Sequence, residues 1–132
     1  MAYPRLVEEW LEGWNAHDPE RATAHFADDA EFVSPSVVAM GLGADGVLRG
    51  RAAIAAQAAA AFARYPRLRF EMDSVLEDGA RLVLFYRKYG VFAADPGLTV
   101  EVFEIAGDRI RRSVVYWGVE EVSGRFVPRP RS

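Results

Sequence analysis

Apolar positions along this chain switch from a helical to a strand-like period about half-way through. From about Pro4 to Ala16, Leu6, Val7, Trp10, Leu11 and Trp14 recur at three- and four-residue spacing, which predicts an amphipathic helix. Asn15-Ala-His17 breaks that stripe. Asp18-Pro19-Glu20 then predicts a short second helix, with Asp18 as N-cap and Pro19 in the first turn, where its missing N–H leaves nothing unpaired. Ala22, His25 and Phe26 give this helix a buried side. Ala30 to Val33 reads as a first strand, ended by Ser34-Pro35, and a Gly-rich connection fills residues 36–50. Arg51 to Tyr65 is the clearest helix, with nine alanines among its fifteen residues and Pro66 to stop it.

Past Pro66 the period becomes two. Leu68, Phe70 and Met72 alternate, Val75-Leu76 breaks phase in the manner of a bulge, and Asp78-Gly79 is a strong hairpin turn. Strands at about 81–92, 98–106 and 109–119 follow, separated by Asp95-Pro-Gly97 and Gly107-Asp108. Helices first and a meander of long strands afterwards predict an α+β domain, with helices packed into a curved antiparallel sheet. A single domain over 1–123 is expected, followed by a basic, Pro-rich tail at 124–132, where Arg125, Arg129 and Arg131 alternate with Pro128 and Pro130. Such a tail is either solvated or able to touch an acidic partner.

Composition narrows the function classes. The 132 residues are 51% hydrophobic and 27% charged, which suits one folded domain. A formal charge of −3 argues against broad nucleic-acid binding, which draws on clustered Lys and Arg. No apolar run approaches the roughly 18–20 residues that cross a bilayer, so no membrane role is expected. The N-terminus lacks a basic-then-apolar signal, and without cysteine there is neither a disulfide framework nor a thiolate zinc site. A cytoplasmic protein is the expectation. His17 and His25 are the only histidines, at a spacing that fits no zinc motif, and His25 is expected at the core edge with one hydrogen bond.

Gly41-Leu-Gly43-Ala-Asp-Gly46 matches the letters of a dinucleotide fingerprint. The mechanism needs a strand directly before it and a helix opening at its last glycine; here Pro35 interrupts the segment before, and no parallel βαβ unit follows. A loop over a cavity mouth is the better expectation.

The order of elements, together with Trp14-Asn-Ala-His-Asp18, Phe26-Ala-Asp-Asp-Ala-Glu-Phe32, Gly50-Arg-Ala-Ala-Ile54 and Glu101-Val-Phe103, resembles the NTF2-like superfamily and its SnoaL-like branch. The resemblance spans about residues 3–119. It implies a cone-shaped sheet closed by helices, with a small apolar ligand at the mouth, and relatives that include ketosteroid isomerases, polyketide cyclases, dehydratases and epoxide hydrolases. It also marks a departure. Where ketosteroid isomerases have a general-base Asp before Pro, this chain has Ser34; where their first helix offers a Tyr hydroxyl, it has Trp10. Their second acid corresponds to Glu101. The same steroid-isomerase arrangement is therefore not expected.

Glu101 is the principal candidate. It lies in Leu98-Thr-Val-Glu-Val-Phe-Glu-Ile105, a strand apolar on both faces. A carboxylate there is an acid or base at a cavity wall, or the partner of an arginine such as Arg87 or Arg112. A two-residue turn at Gly107-Asp108 pairs Glu101 with Val114 and Glu104 with Arg111. A three-residue turn pairs Glu101 with Val115, in line with Trp117. Ser34, Gln57 and Tyr86 are expected to orient a ligand, and Trp10, Trp14, Phe32, Phe103 and Trp117 to line its cavity. Tyr86 and Tyr89 are expected on opposite faces of their strand.

The function expected is small-molecule binding, with cofactor-independent isomerase, cyclase or hydratase chemistry on a hydrophobic substrate. The alternative is a non-catalytic dimeric binding or scaffold domain. Apolar residues on both faces of 98–105 predict a homodimer through the outer sheet face.

Overall fold

The computed structural model describes residues 4–122 and 125–128. Two helices open the chain, α1 (Arg5–Asn15) and α2 (Pro19–Thr23). Asp18 caps α2 by accepting from the backbone N–H groups of Glu20 and Arg21. The two helices touch at Gly13, where an added Cβ would stand 2.3 Å from the backbone nitrogen of Ala22. Strand β1 (Phe26–Val33) starts earlier than the Ala30 boundary expected from sequence. The stretch read as a loop holds a short helix, α3 (Pro35–Ala39), and a short strand, β2 (Val47–Arg49). Ser34 caps α3, its side-chain oxygen accepting from the Ser36 N–H, so Ser34-Pro35 both ends a strand and begins a helix. The long helix α4 (Arg51–Arg64) follows.

Strands β3 (Arg69–Asp78), β4 (Arg81–Tyr89), β5 (Gly97–Ala106) and β6 (Arg109–Val122) form the meander. The sheet runs β2-β1-β6-β5-β4-β3, with β1 parallel to β6 and the other pairs antiparallel. It curves around the helices as an α+β cone. Part of the expected tail, Arg125–Pro128, is a seventh strand, β7, paired with β6. Residues 123, 124 and 129–132 of that region lie outside those described.

Two bulges tune the sheet. One falls between Met72 and Ser74, slightly before the Val75-Leu76 phase break that signalled it. It turns Val75 toward the core side and leaves Leu76 57% exposed. The other lies in β6. Across the Gly107-Asp108 turn Ala106 pairs with Arg109 and Ile105 with Ile110, but Glu104 pairs with Arg112. The turn is thus the two-residue kind, and the extra residue in β6 brings Glu101 opposite Val115. Glu104 then receives both Arg111 and Arg112.

The core is an aromatic cluster. Trp10 is fully enclosed, its ring centroid 5.5–5.6 Å from those of Phe70, Tyr86 and Phe103. Trp14 stacks on Phe70 and meets Phe62 edge-on. Rings at these spacings add packing preference to the area they bury.

Candidate functional site

Strands β4 and β5 alternate strictly through the middle of the sheet. Leu82, Leu84, Tyr86 and Lys88 face inward from β4, while Thr99, Glu101 and Phe103 face inward from β5. A cavity of about 40 Å³ opens between this face, α4 and α3. Its polar lining comprises Ser34, Ser36, Gln57, Tyr86, Lys88 and Glu101, and Trp14, Phe32, Phe70 and Trp117 supply aromatic walls.

Glu101 is 3% exposed, and each of its carboxylate oxygens accepts one hydroxyl. Tyr86 Oη–H donates to Oε1 at 2.7 Å and Ser113 Oγ–H to Oε2 at 2.6 Å. Burial raises the carboxyl pKa above its ordinary value; the bonds from Ser113 and Tyr86 and the charge of Lys88 pull the other way. Burial also raises the Tyr86 phenol well above its usual range, reinforced by the neighbouring Glu101 charge and the hydrogen bond. Tyr86 is therefore a proton donor that stays protonated.

The arginine pairing considered for Glu101 does not occur. Arg112 engages Glu104 and Glu31, and Arg87 pairs with Asp73. The nearby cation is instead Lys88, 8% exposed on the same inward face. Its Nζ lies 5.3, 5.9 and 5.6 Å from the ring centroids of Phe70, Tyr86 and Trp117. Burial lowers its pKa to about 8, with the Glu101 charge opposing the fall.

The cavity brings together Trp14, Phe32, Ser34, Gln57, Tyr86, Glu101 and Trp117 of the residues expected from sequence. It does not include Trp10 or Phe103. Both sit deeper, packed ring against ring at 5.5 Å, because the inward positions of α1 and β5 that carry them meet the middle of the core. Gln57 points its amide nitrogen toward Ser36 Oγ at 3.4 Å, while its buried Oε1, like Trp117 Nε1, has no hydrogen-bond partner among the described residues. Tyr89, unlike Tyr86, lies on the other face under the Arg69 guanidinium.

Sequence reading missed Lys88, Ser36 and Ser113. A signal for Lys88 was present: it continues the inward series Leu82, Leu84, Tyr86, and it is the only lysine among 132 residues. Ser113 had no such signal, because its inward position depends on the β6 bulge. The histidines serve structure. His17 Nε2 meets the Leu68 carbonyl at 2.8 Å and its ring stacks on Phe62, while His25 pairs with Glu9. Among the described residues no group of three or more His, Asp or Glu side chains could hold a metal ion. Gly41 to Gly46 joins α3 to β2 beside the cavity wall formed by Ala39 and Met40. Among the described residues no helix is long and apolar enough to cross a membrane.

Comparison with known proteins places this geometry. The family model described as a SnoaL-like domain matches residues 7–113. A SnoaL-like protein of unknown function from Burkholderia thailandensis is 30% identical, with a TM-score of 0.75 over 86% of this chain and 91% of that one. A protein from Sphaerobacter thermophilus is 29% identical, with a TM-score of 0.66 over 85% and 92%. A protein with a ketosteroid isomerase-like fold from Catenulispora acidiphila, in complex with trimethylamine, is 18% identical, with a TM-score of 0.71 over 88% and 87%. No curated protein matches the sequence significantly.

Proposed function

Because the chain belongs to the SnoaL-like domain family, we propose that it binds a small, largely apolar carbonyl compound and catalyses proton transfer on it without a cofactor. The observation that carries this reading is the setting of Glu101. It is a buried carboxyl at a cavity wall, held at both oxygens by neutral hydroxyls and engaged by no arginine among the described residues. A structural ion pair would have given it an arginine; a base needs a fixed orientation and a spare lone pair, and this setting supplies both. Burial raises the carboxyl pKa, the direction in which a carboxylate becomes a stronger base.

Cavity size restricts the substrate. At about 40 Å³ the space takes a few water-sized groups, so a small ketone or aldehyde suits it better than the polycyclic ketones of steroid chemistry. The trimethylamine held by the Catenulispora protein falls in the same size class. Trp117 Nε1–H is a donor suited to a carbonyl oxygen, and Lys88 supplies positive charge for an enolate.

The test is hydrogen–deuterium exchange at the α-carbon of acetone, butanone and propanal in D2O, followed by NMR. The protein should accelerate exchange, and Glu101→Gln should abolish the acceleration with the melt intact. No acceleration, despite saturable binding of the same compounds, would leave a non-catalytic binding domain.

A second copy of the chain is the proposed partner, and the cytoplasm the proposed location. The convex face carries the cross-strand pairs Val100–Tyr116 and Val102–Val114, and Tyr116 is 50% exposed in the single chain. An apolar face of this kind calls for cover. Light scattering at micromolar concentration should give twice the 14.7 kDa mass, and Val102→Glu should return the single-chain mass.

A further inference from the structure

The cavity contains a second reactive group. Fifteen of the sixteen basic residues are arginine, and the single lysine is buried at position 88. Exposed positions throughout the chain use arginine, which stays charged and cannot act as a nucleophile. Lysine stands where the basic side chain enters an apolar cavity. There its Nζ faces three aromatic rings, and among the described residues it makes neither a hydrogen bond nor an ion pair. A purely structural cation at such a depth would be paired; an unpaired amine in a ring-lined cavity is arranged to react.

We propose that Lys88 condenses with the carbonyl carbon of a small aldehyde or ketone to form an imine, with Glu101 moving the protons. This rests on the reading of the cavity as a carbonyl site. The neutral Nζ lone pair forms the N–C bond as the C=O π pair moves to oxygen. Glu101 in its acid form protonates that oxygen, and its carboxylate then takes a proton from the new ammonium, leaving a neutral carbinolamine. A second transfer from Glu101 releases the oxygen as water while the nitrogen lone pair forms the C=N bond. One amine, one carbonyl and one carboxylic acid thus become a protonated imine, a water and a carboxylate. The product cation and the Glu101 carboxylate stay together in the cavity. Burial supports the first step, since at a pKa of about 8 roughly a tenth of the amines are neutral at neutral pH.

Reductive trapping tests this directly, because the only other amine of the chain is its N-terminal α-amino group. The folded protein is treated with acetaldehyde or acetone and cyanoborohydride, and the modified site is found by peptide mass mapping. We expect one ethyl or isopropyl group on Lys88, added faster than on the α-amine. Lys88→Met should lose the addition without lowering its melt. Glu101→Gln should slow trapping at Lys88 by roughly tenfold or more, the lower edge of what a positioned acid–base group contributes. Modification confined to the α-amine, or reaching Lys88 only after denaturation, overturns the proposal. The α-carbon exchange assay separates two failures. α-Carbon exchange by the unmodified protein without any trapping at Lys88 retires the imine and keeps the proton-transfer reading. Loss of both activities in the unmodified protein retires the carbonyl site altogether.

Discussion

Ser113 reaches Glu101 because β6 carries one more residue than β5 between the hairpin turn and the site. Without the extra residue, the alternation of β6 would turn Val114 toward the core and send Ser113 to the convex face. With it, Ile110 and Ser113 both face inward, and the Ser113 hydroxyl donates to Oε2. The acid site is therefore a product of register as much as of residue identity.

Ser113→Ala should weaken the carboxylate state of Glu101 in particular. Loss of a hydrogen bond to a buried charged group should cost about 1–3 kcal/mol, measured by urea unfolding at neutral pH. The lost bond stabilises the ionised form, so its removal pushes the carboxyl pKa further up. The base limb of the α-carbon exchange profile should then move to higher pH. An unmoved limb would mean that another group is the base.

Lys88→Met should stabilise the fold at neutral pH. The amine is at its ordinary value of 10.5 in the unfolded chain and at about 8 in the folded one. Between those values the unfolded state binds more protons, so stability rises with pH across the window, and below about pH 8 the full cost applies. That cost is about 3 kcal/mol as an upper figure. The advantage of Lys88→Met should shrink as pH rises from 8 toward 10.5. Tyr86 titrates in both proteins and cancels in the difference, while Glu101, facing Lys88 from β5, would lose a favourable charge and turn more acid-like. Urea titrations of both proteins at pH 7 and 10 check this.

Ala61→Leu should fill the cavity from α4. Ala61 lines the space and is buried, so the larger side chain should block binding of small ketones, with an overpacking cost of about 1–3 kcal/mol. Calorimetric titration with butanone is the readout, and undiminished binding would place the ligand elsewhere.

Gly13→Ala should be among the most damaging single changes. The new Cβ would lie 2.3–2.7 Å from backbone atoms of Arg21 and Ala22, which cannot move aside as a side-chain tip would. Separation of α1 from α2 should lower stability by about 2 kcal/mol or more, read from a thermal melt.

Much of the architecture was legible because its signals are local. The Trp10–Trp14 stripe, the Asp18-Pro19 start, the alanine-rich helix and the Asp78-Gly79 turn are each decided within a few residues of chain. Glu101 was legible too, as a charge inside an apolar strand. The short α3 was hidden because Pro35 reads as a strand stop, although it serves equally as a first helical residue after the Ser34 cap. The partners of Glu101 were harder. Tyr86 stands diagonally across β4, through a pairing that alternation alone supports, whereas Ser113 and the avoidance of Arg112 both depend on a bulge whose position no short-range pattern specifies.

The parallel pairing of β1 with β6 has a consequence for how the protein comes into being. Phe32 and Ser34 belong to the first third of the chain, Ser113, Val115 and Trp117 to its last, and the register Phe32–Ser113 joins them. On a ribosome, neither group finds its counterpart until the chain has emerged as far as Trp117. The early helices and β1 must wait with their apolar sides uncovered, and sheet closure and cavity formation become one late event. Any carbonyl chemistry here is then confined to the finished molecule: a truncated or nascent chain would carry the reactive lysine without the walls that give it selectivity.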